Sequence, residues 1–74
     1  MREKRASSME IIVNGEKKRF ERSLSVADLV KDLGLEPKTV IVELNLQVVS
    51  RDEMGRTPVR DGDRLEIVGI FGGG

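Results

Sequence analysis

Arg64-Leu65-Glu66-Ile67-Val68-Gly69-Ile70-Phe71, followed by Gly72-Gly73-Gly74, decides how the rest of this 74-residue chain is read. The first eight residues alternate and are rich in aliphatic side chains, the pattern of a strand with Leu65 and Ile67 inward and Glu66, Val68 and Ile70 outward. The three glycines carry no side chain to bury, and they lose more conformational entropy on ordering than any other residue. A structural role for them is hard to find. The bland alternative is a frayed end or a remnant of cloning. What glycine does provide is thinness: a peptide without Cβ atoms enters a narrow cleft, and three residues reach about 10 Å. The sequence therefore predicts a small folded body that presents residues 72–74 to another protein.

Length and composition restrict that body. At this size a chain buries only about 60% of its unfolded surface. It has no cysteine and no histidine, so neither a disulfide nor a Cys/His metal site supports it, and two phenylalanines are its only aromatic residues. Thirteen basic and thirteen acidic residues cancel, although residues 1–8 carry a net +2 and the remainder −2. This balance, with so few aromatic stacking platforms, argues against nucleic-acid binding. Nothing resembles a membrane span or an export signal, and a cytoplasmic location is expected.

Residues 1–8 are polar and without period, and the sequence predicts a disordered extension there. The domain is expected over 9–71 and a flexible tail over 72–74. Met9-Glu10-Ile11-Ile12-Val13 reads as a strand, and Asn14-Gly15 as the turn of a hairpin, because type I′ turns need positive φ at both central residues. The return strand, Glu16 to Glu21, is charged, as suits a sheet edge, with Phe20 as its inward anchor. Ser25 to Gly34 reads as a short helix. Ser25 is its N-cap, Asp28 adds negative charge to the first turn, and Gly34 closes it. Val26, Leu29, Val30 and Leu33 form one apolar stripe. Thr39 to Asn45 is a third strand and Gln47-Val48-Val49 a short fourth. Arg51 to Met54 is a helical turn, and Asp61-Gly62-Asp63 a turn into the last strand.

This order of strands around one helix is a two-layer α+β arrangement. A chain this short covers only one face of its sheet. Alternation then leaves Ile12, Ile41, Val68 and Ile70 on the other face, where a contiguous aliphatic group marks a partner surface.

Catalytic machinery is missing from the residue list. No histidine or cysteine exists to activate a serine or act as nucleophile, and Asp61 and Asp63 flank a turn glycine. The Asp-Gly-Asp group does not complete a calcium loop. The glycine run is not a phosphate cradle, because no helix follows it. The chain is expected not to be an enzyme and to bind no metal or cofactor itself. The one reactive group in an unusual setting is the Gly74 carboxylate, which would need activation by a partner.

Together, Met9 to Gly15, Ser25-Val26-Ala27-Asp28-Leu29, Asp61 to Val68 and the terminal Gly73-Gly74 resemble the ThiS family of thiamin-biosynthesis sulfur carriers, over residues 9–74. The resemblance implies a ubiquitin-like β-grasp fold, a mixed sheet of four to five strands on one helix with a flexible Gly-Gly tail. It also implies that an E1-like ThiF-type enzyme, using ATP and magnesium, adenylates Gly74. A sulfur donor such as a cysteine desulfurase would then convert it to a thiocarboxylate for a ThiG-type thiazole synthase. Gly73 would serve as the tail, and Gly72, Phe71, Ile70, Val68, Ile41 and Ile12 as docking residues. Leu46 departs from the family, which often shows glycine or a polar turn residue there. The small subunit of molybdopterin synthase and the ubiquitin-like protein modifiers share the tail and are the alternatives. Ile70 and Phe71 stand where ubiquitin has basic residues nearby, which favours the sulfur-carrier branch.

Overall fold

The computed structural model describes residues 8–70. The expected extension at 1–8, apart from Ser8, and the tail residues Phe71, Gly72, Gly73 and Gly74 lie outside the described residues.

β1 (Met9–Val13) and β2 (Glu16–Phe20) form the hairpin that the sequence predicts. Asn14 and Gly15 have φ of 51° and 85°, the double positive φ of a type I′ turn. Phe20 is half-buried against the core, opposite Met9. β3 (Leu24–Ser25) leads directly into α1 (Val26–Asp32). A capping box sets the helix start: the Asp28 amide donates to Ser25 Oγ at 3.0 Å, and the Ser25 amide donates to Asp28 Oδ2 at 3.2 Å. The helix ends where Gly34 takes φ of 81° and the Leu35 amide donates to the Val30 carbonyl at 3.1 Å. Val26, Leu29 and Val30 are fully buried, and Leu33 packs on the margin.

A 3₁₀ turn (Pro37–Thr39) delivers the chain into β4 (Val40–Leu44), which pairs with β5 (Gln47–Val49). The helical turn expected over 51–54 is a 3₁₀ turn, Arg51–Glu53. β6 (Pro58–Val59) then pairs with β3, Leu24 opposite Val59. The sequence reading missed both two-residue strands, which are too short to show a period. They matter nonetheless. The Val26 amide donates to the Thr57 carbonyl and the Ala27 amide to the Met54 carbonyl, so this loop holds the first turn of α1 and buries Met54 and Val59 beside it. Of the expected strand 64–71, residues 64–69 form β7 (Arg64–Gly69) and Ile70 lies beyond its end.

The five main strands form one mixed sheet in the order β2-β1-β7-β4-β5, with β7 parallel to β1 and antiparallel to β4. One face of the sheet, carrying Ile11, Val13, Val42, Leu65 and Ile67, closes on Val26, Leu29 and Val30 of α1. Burial of each such side chain stabilises the fold by about 1.5–3 kcal/mol. The last strand therefore sits in the centre of the sheet, fixed on both sides. Its end leads to the tail.

Candidate functional site

The last described anchor before the tail is a hydrogen bond at the sheet margin. The Ile70 amide donates to the Thr39 carbonyl at 3.0 Å. Thr39 is itself held, its amide and its Oγ1 both donating to the Glu36 carbonyl at 2.9 Å. The 3₁₀ turn before β4 thus determines where the chain leaves the sheet, and residues 71–74 start from a fixed point.

The outer face of the sheet, opposite α1, divides into two regions. Near the exit, Ile41 and Val68 lie directly opposite each other across β4 and β7, 47% and 58% exposed, and Ile70, 45% exposed, follows. Val48 on β5, 67% exposed, extends this apolar group on the diagonal, because its direct partner is Glu43. Glu43 in turn faces Glu66 across β4 and β7. Like charges directly opposite destabilise a strand pair, so this acidic margin costs stability and favours a basic counterpart. At the other end of the face, Ile12 lies between Lys17 of β2 and Arg64 of β7. There Arg19 also approaches Glu10 at 4.0 Å.

The expected docking set is corrected at one residue. Ile12 is only half-buried, but it does not join Ile41, Val68 and Ile70. The parallel register of β1 and β7 sets it against Arg64, four residues before Val68 on β7. Alternation places all of these residues on one face but does not give their position along it. Val48 and Leu46, the most exposed large aliphatic residues, were missed. A fourth strand with three residues has too few alternations to show which side chain faces out.

Among the described residues, no group of three or more His, Cys, Asp or Glu side chains converges to hold a metal ion, and no helix is long and apolar enough to cross a membrane. The concavities near the sheet are shallow. One of about 200 Å³ is lined by Glu10, Ile12, Lys17 and Asp63, and another of about 310 Å³ runs along β5. The arrangement places an exposed apolar group, Ile41, Val68 and Ile70, beside the point where the described chain leaves the sheet.

A mixed sheet over one helix, with the last strand central and ending at a glycine tail, defines the ubiquitin-like β-grasp class. Comparison with known proteins narrows this further. The model of the ThiS family matches residues 6–74, and the chain belongs to that family. It is 34% identical over 62 residues to the sulfur carrier protein ThiS of Thermus thermophilus, covering 84% of this chain and 95% of that one. It is 41% identical over 66 residues to a thiazole synthase of Paramagnetospirillum magneticum, covering 89% of this chain and 20% of the relative. The chain thus spans about a fifth of the length of the two thiazole synthases it matches. The crystal structure of the thiamine biosynthesis protein ThiS from Geobacter metallireducens superposes with a TM-score of 0.76 at 36% identity, covering 89% of this chain and all of that one.

Proposed function

We propose that this protein carries sulfur for formation of the thiazole ring of thiamin, as a protein co-substrate and not as a catalyst. Membership of the ThiS family through Gly74 carries this reading, supported by a tail strand fixed in the sheet centre up to Ile70. The Gly74 carboxylate attacks the α-phosphate of ATP in the active site of a ThiF-type adenylating enzyme, and pyrophosphate leaves. The terminal sulfur of a persulfide, supplied by a donor such as a cysteine desulfurase, then displaces AMP to give an acyl disulfide. A thiol reductant attacks the donor-side sulfur, leaving the thiocarboxylate on Gly74 and a disulfide on the donor. ATP and magnesium belong to the adenylating enzyme; this chain holds no cofactor of its own. Gly73 and Gly72 give the tail its narrow profile. Phe71, Ile70, Val68 and Ile41 form the docking surface next to it.

A thiazole synthase is the acceptor in this reading. Support comes from the relatives named thiazole synthase, of which the stretch matching this chain is about a fifth. The setting is the cytoplasm.

Intact-protein mass spectrometry tests the proposal after incubation with a ThiF-type enzyme, ATP and a sulfur source. The expected result is a gain equal to replacement of one oxygen by sulfur, absent when Gly74 is deleted. No gain, with the enzyme active on another carrier, overturns it.

A further inference from the structure

The two edges of the sheet differ in character. β2 presents Glu16, Lys17, Lys18 and Arg19, and such charges block pairing with another strand. β5 has no such protection: Leu46-Gln47-Val48-Val49-Ser50 contains no charged residue. Its turn, Asn45-Leu46, has φ of 52° and 74°, a two-residue primed turn in which the flanking pair, Leu44 and Gln47, exchanges hydrogen bonds. Alternation then points the N–H and C=O of Val48 away from β4, toward the free edge. Leu46 is held in the left-handed region with its side chain 83% exposed, so nothing within the described fold offsets its strain. This short edge is thus uncharged and open, a template for strand pairing that folded proteins ordinarily blunt.

We propose that β5 pairs antiparallel with β5 of a second copy of this chain, about a two-fold axis through Val48, joining the two sheets into one of ten strands. The register is self-complementary. Val48 exchanges N–H···O bonds with Val48 of the second copy, and Gln47 lies opposite its Val49. No like charges meet. The same operation at β2 would set Lys18 on Lys18 and Lys17 on Arg19, which charge repulsion opposes. The chain as a whole has a formal net charge of zero, so no general repulsion keeps two copies apart. On the outer face, the apolar group of Val68, Ile41 and Val48 becomes continuous with its counterpart. The two β7 strands lie outside the junction and run in opposite directions, so both Ile70 ends stay clear. A contact of so few residues buries much less than the roughly 1,200 Å² of a stable interface, and the pairing is therefore weak and concentration-dependent.

The absence of cysteine makes the test direct, and none of it depends on the sulfur chemistry proposed above. Val48→Cys introduces a single thiol at the two-fold axis, where paired Cα atoms about 5.5 Å apart permit a disulfide. In a glutathione redox buffer this variant is expected to form a covalent dimer at least about tenfold faster than Lys17→Cys on the other edge. Sedimentation velocity of the unmodified chain, from about 10 μM to about 1 mM, is expected to show mass rising toward a dimer. Val48→Lys, with its fold checked by circular dichroism, is expected to remain monomeric. Equal crosslinking at both edges, or monomer mass throughout, overturns the proposal. A monomer whose Val48→Lys variant loses binding to the adenylating enzyme would assign the edge to that enzyme instead.

Discussion

The Asn14 carboxamide forms a two-way hydrogen-bonded pair with the backbone of Ile67. Its Oδ1 accepts from the Ile67 amide at 2.8 Å, and its Nδ2 donates to the Ile67 carbonyl at 3.1 Å. One step earlier in the ladder, the Asn14 amide donates to the Leu65 carbonyl at 2.9 Å. The side chain therefore continues the parallel β1–β7 ladder after the main chain has turned away into its hairpin. One residue serves the turn, through its φ of 51°, and also holds the strand that leads to the tail.

Asn14→Ala removes both bonds to Ile67 and places a less tolerant residue at positive φ. The expected loss is about 2–3 kcal/mol by urea unfolding, with faster hydrogen exchange at the Ile67 amide. Asn14→Gly keeps the backbone freedom and isolates the carboxamide, so it should cost less than alanine. Equal costs for the two variants would show that the turn conformation contributes nothing.

Leu46 occupies a left-handed position that costs a leucine roughly 1–2 kcal/mol, and its exposed side chain regains little. Leu46→Gly is expected to raise stability by about 0.5–1 kcal/mol after allowing for the greater freedom of glycine in the unfolded chain. A lower unfolding midpoint for this variant would mean that the side chain makes contacts worth more than the strain.

Val68 is exposed opposite Ile41 at the exit of the tail. Val68→Asp is expected to leave the fold intact and weaken binding to the proposed ThiF-type adenylating enzyme at least about tenfold, or ~1.4 kcal/mol, measured by calorimetry. Ile12→Thr, beside Arg64, should change affinity by no more than about twofold. Equal losses would place the docking surface across the whole face and not at the exit.

Asp28 has its pKa lowered first by the hydrogen bond from the Ser25 amide and next by that with the Ser25 hydroxyl, with smaller contributions from Lys31 and Arg22. A depressed folded pKa adds stability that is complete above the unfolded value, about 3.9, and is lost as pH falls through the folded value. The stability advantage of the native chain over Asp28→Asn is therefore expected to shrink as pH falls from about 5 toward about 2. A difference that does not change across that range would remove the carboxylate from the cap. Ser25→Ala, which deletes the cap oxygen, should cost about 1 kcal/mol at neutral pH.

The exposed aliphatic residues of the outer face and the turn divide by how far their signal travels along the chain. Ile41, Val68 and Ile70 are legible as outward positions because strand alternation is local. Val48 and Leu46 are not, since a three-residue strand after a tight turn offers too short a pattern. Leu24, Met54 and Val59 enter the core only through a two-residue pairing and the bonds from α1 to residues 54 and 57.

By itself the sequence determined the hairpin at Asn14-Gly15, the capped helix from Ser25, the alternation of the last strand and the glycine tail after it. Each depends on neighbours: positive φ suits asparagine and glycine, a side-chain cap reaches three residues, and a strand repeats every second residue. The tertiary structure alone decided that β7 lies between β1 and β4, and hence that Val68 meets Ile41 while Ile12 meets Arg64. Those pairings join residues 27 and 52 positions apart, and no local preference specifies them. They follow from burial of Leu65 and Ile67 on α1 and from the hold of Asn14 on Ile67.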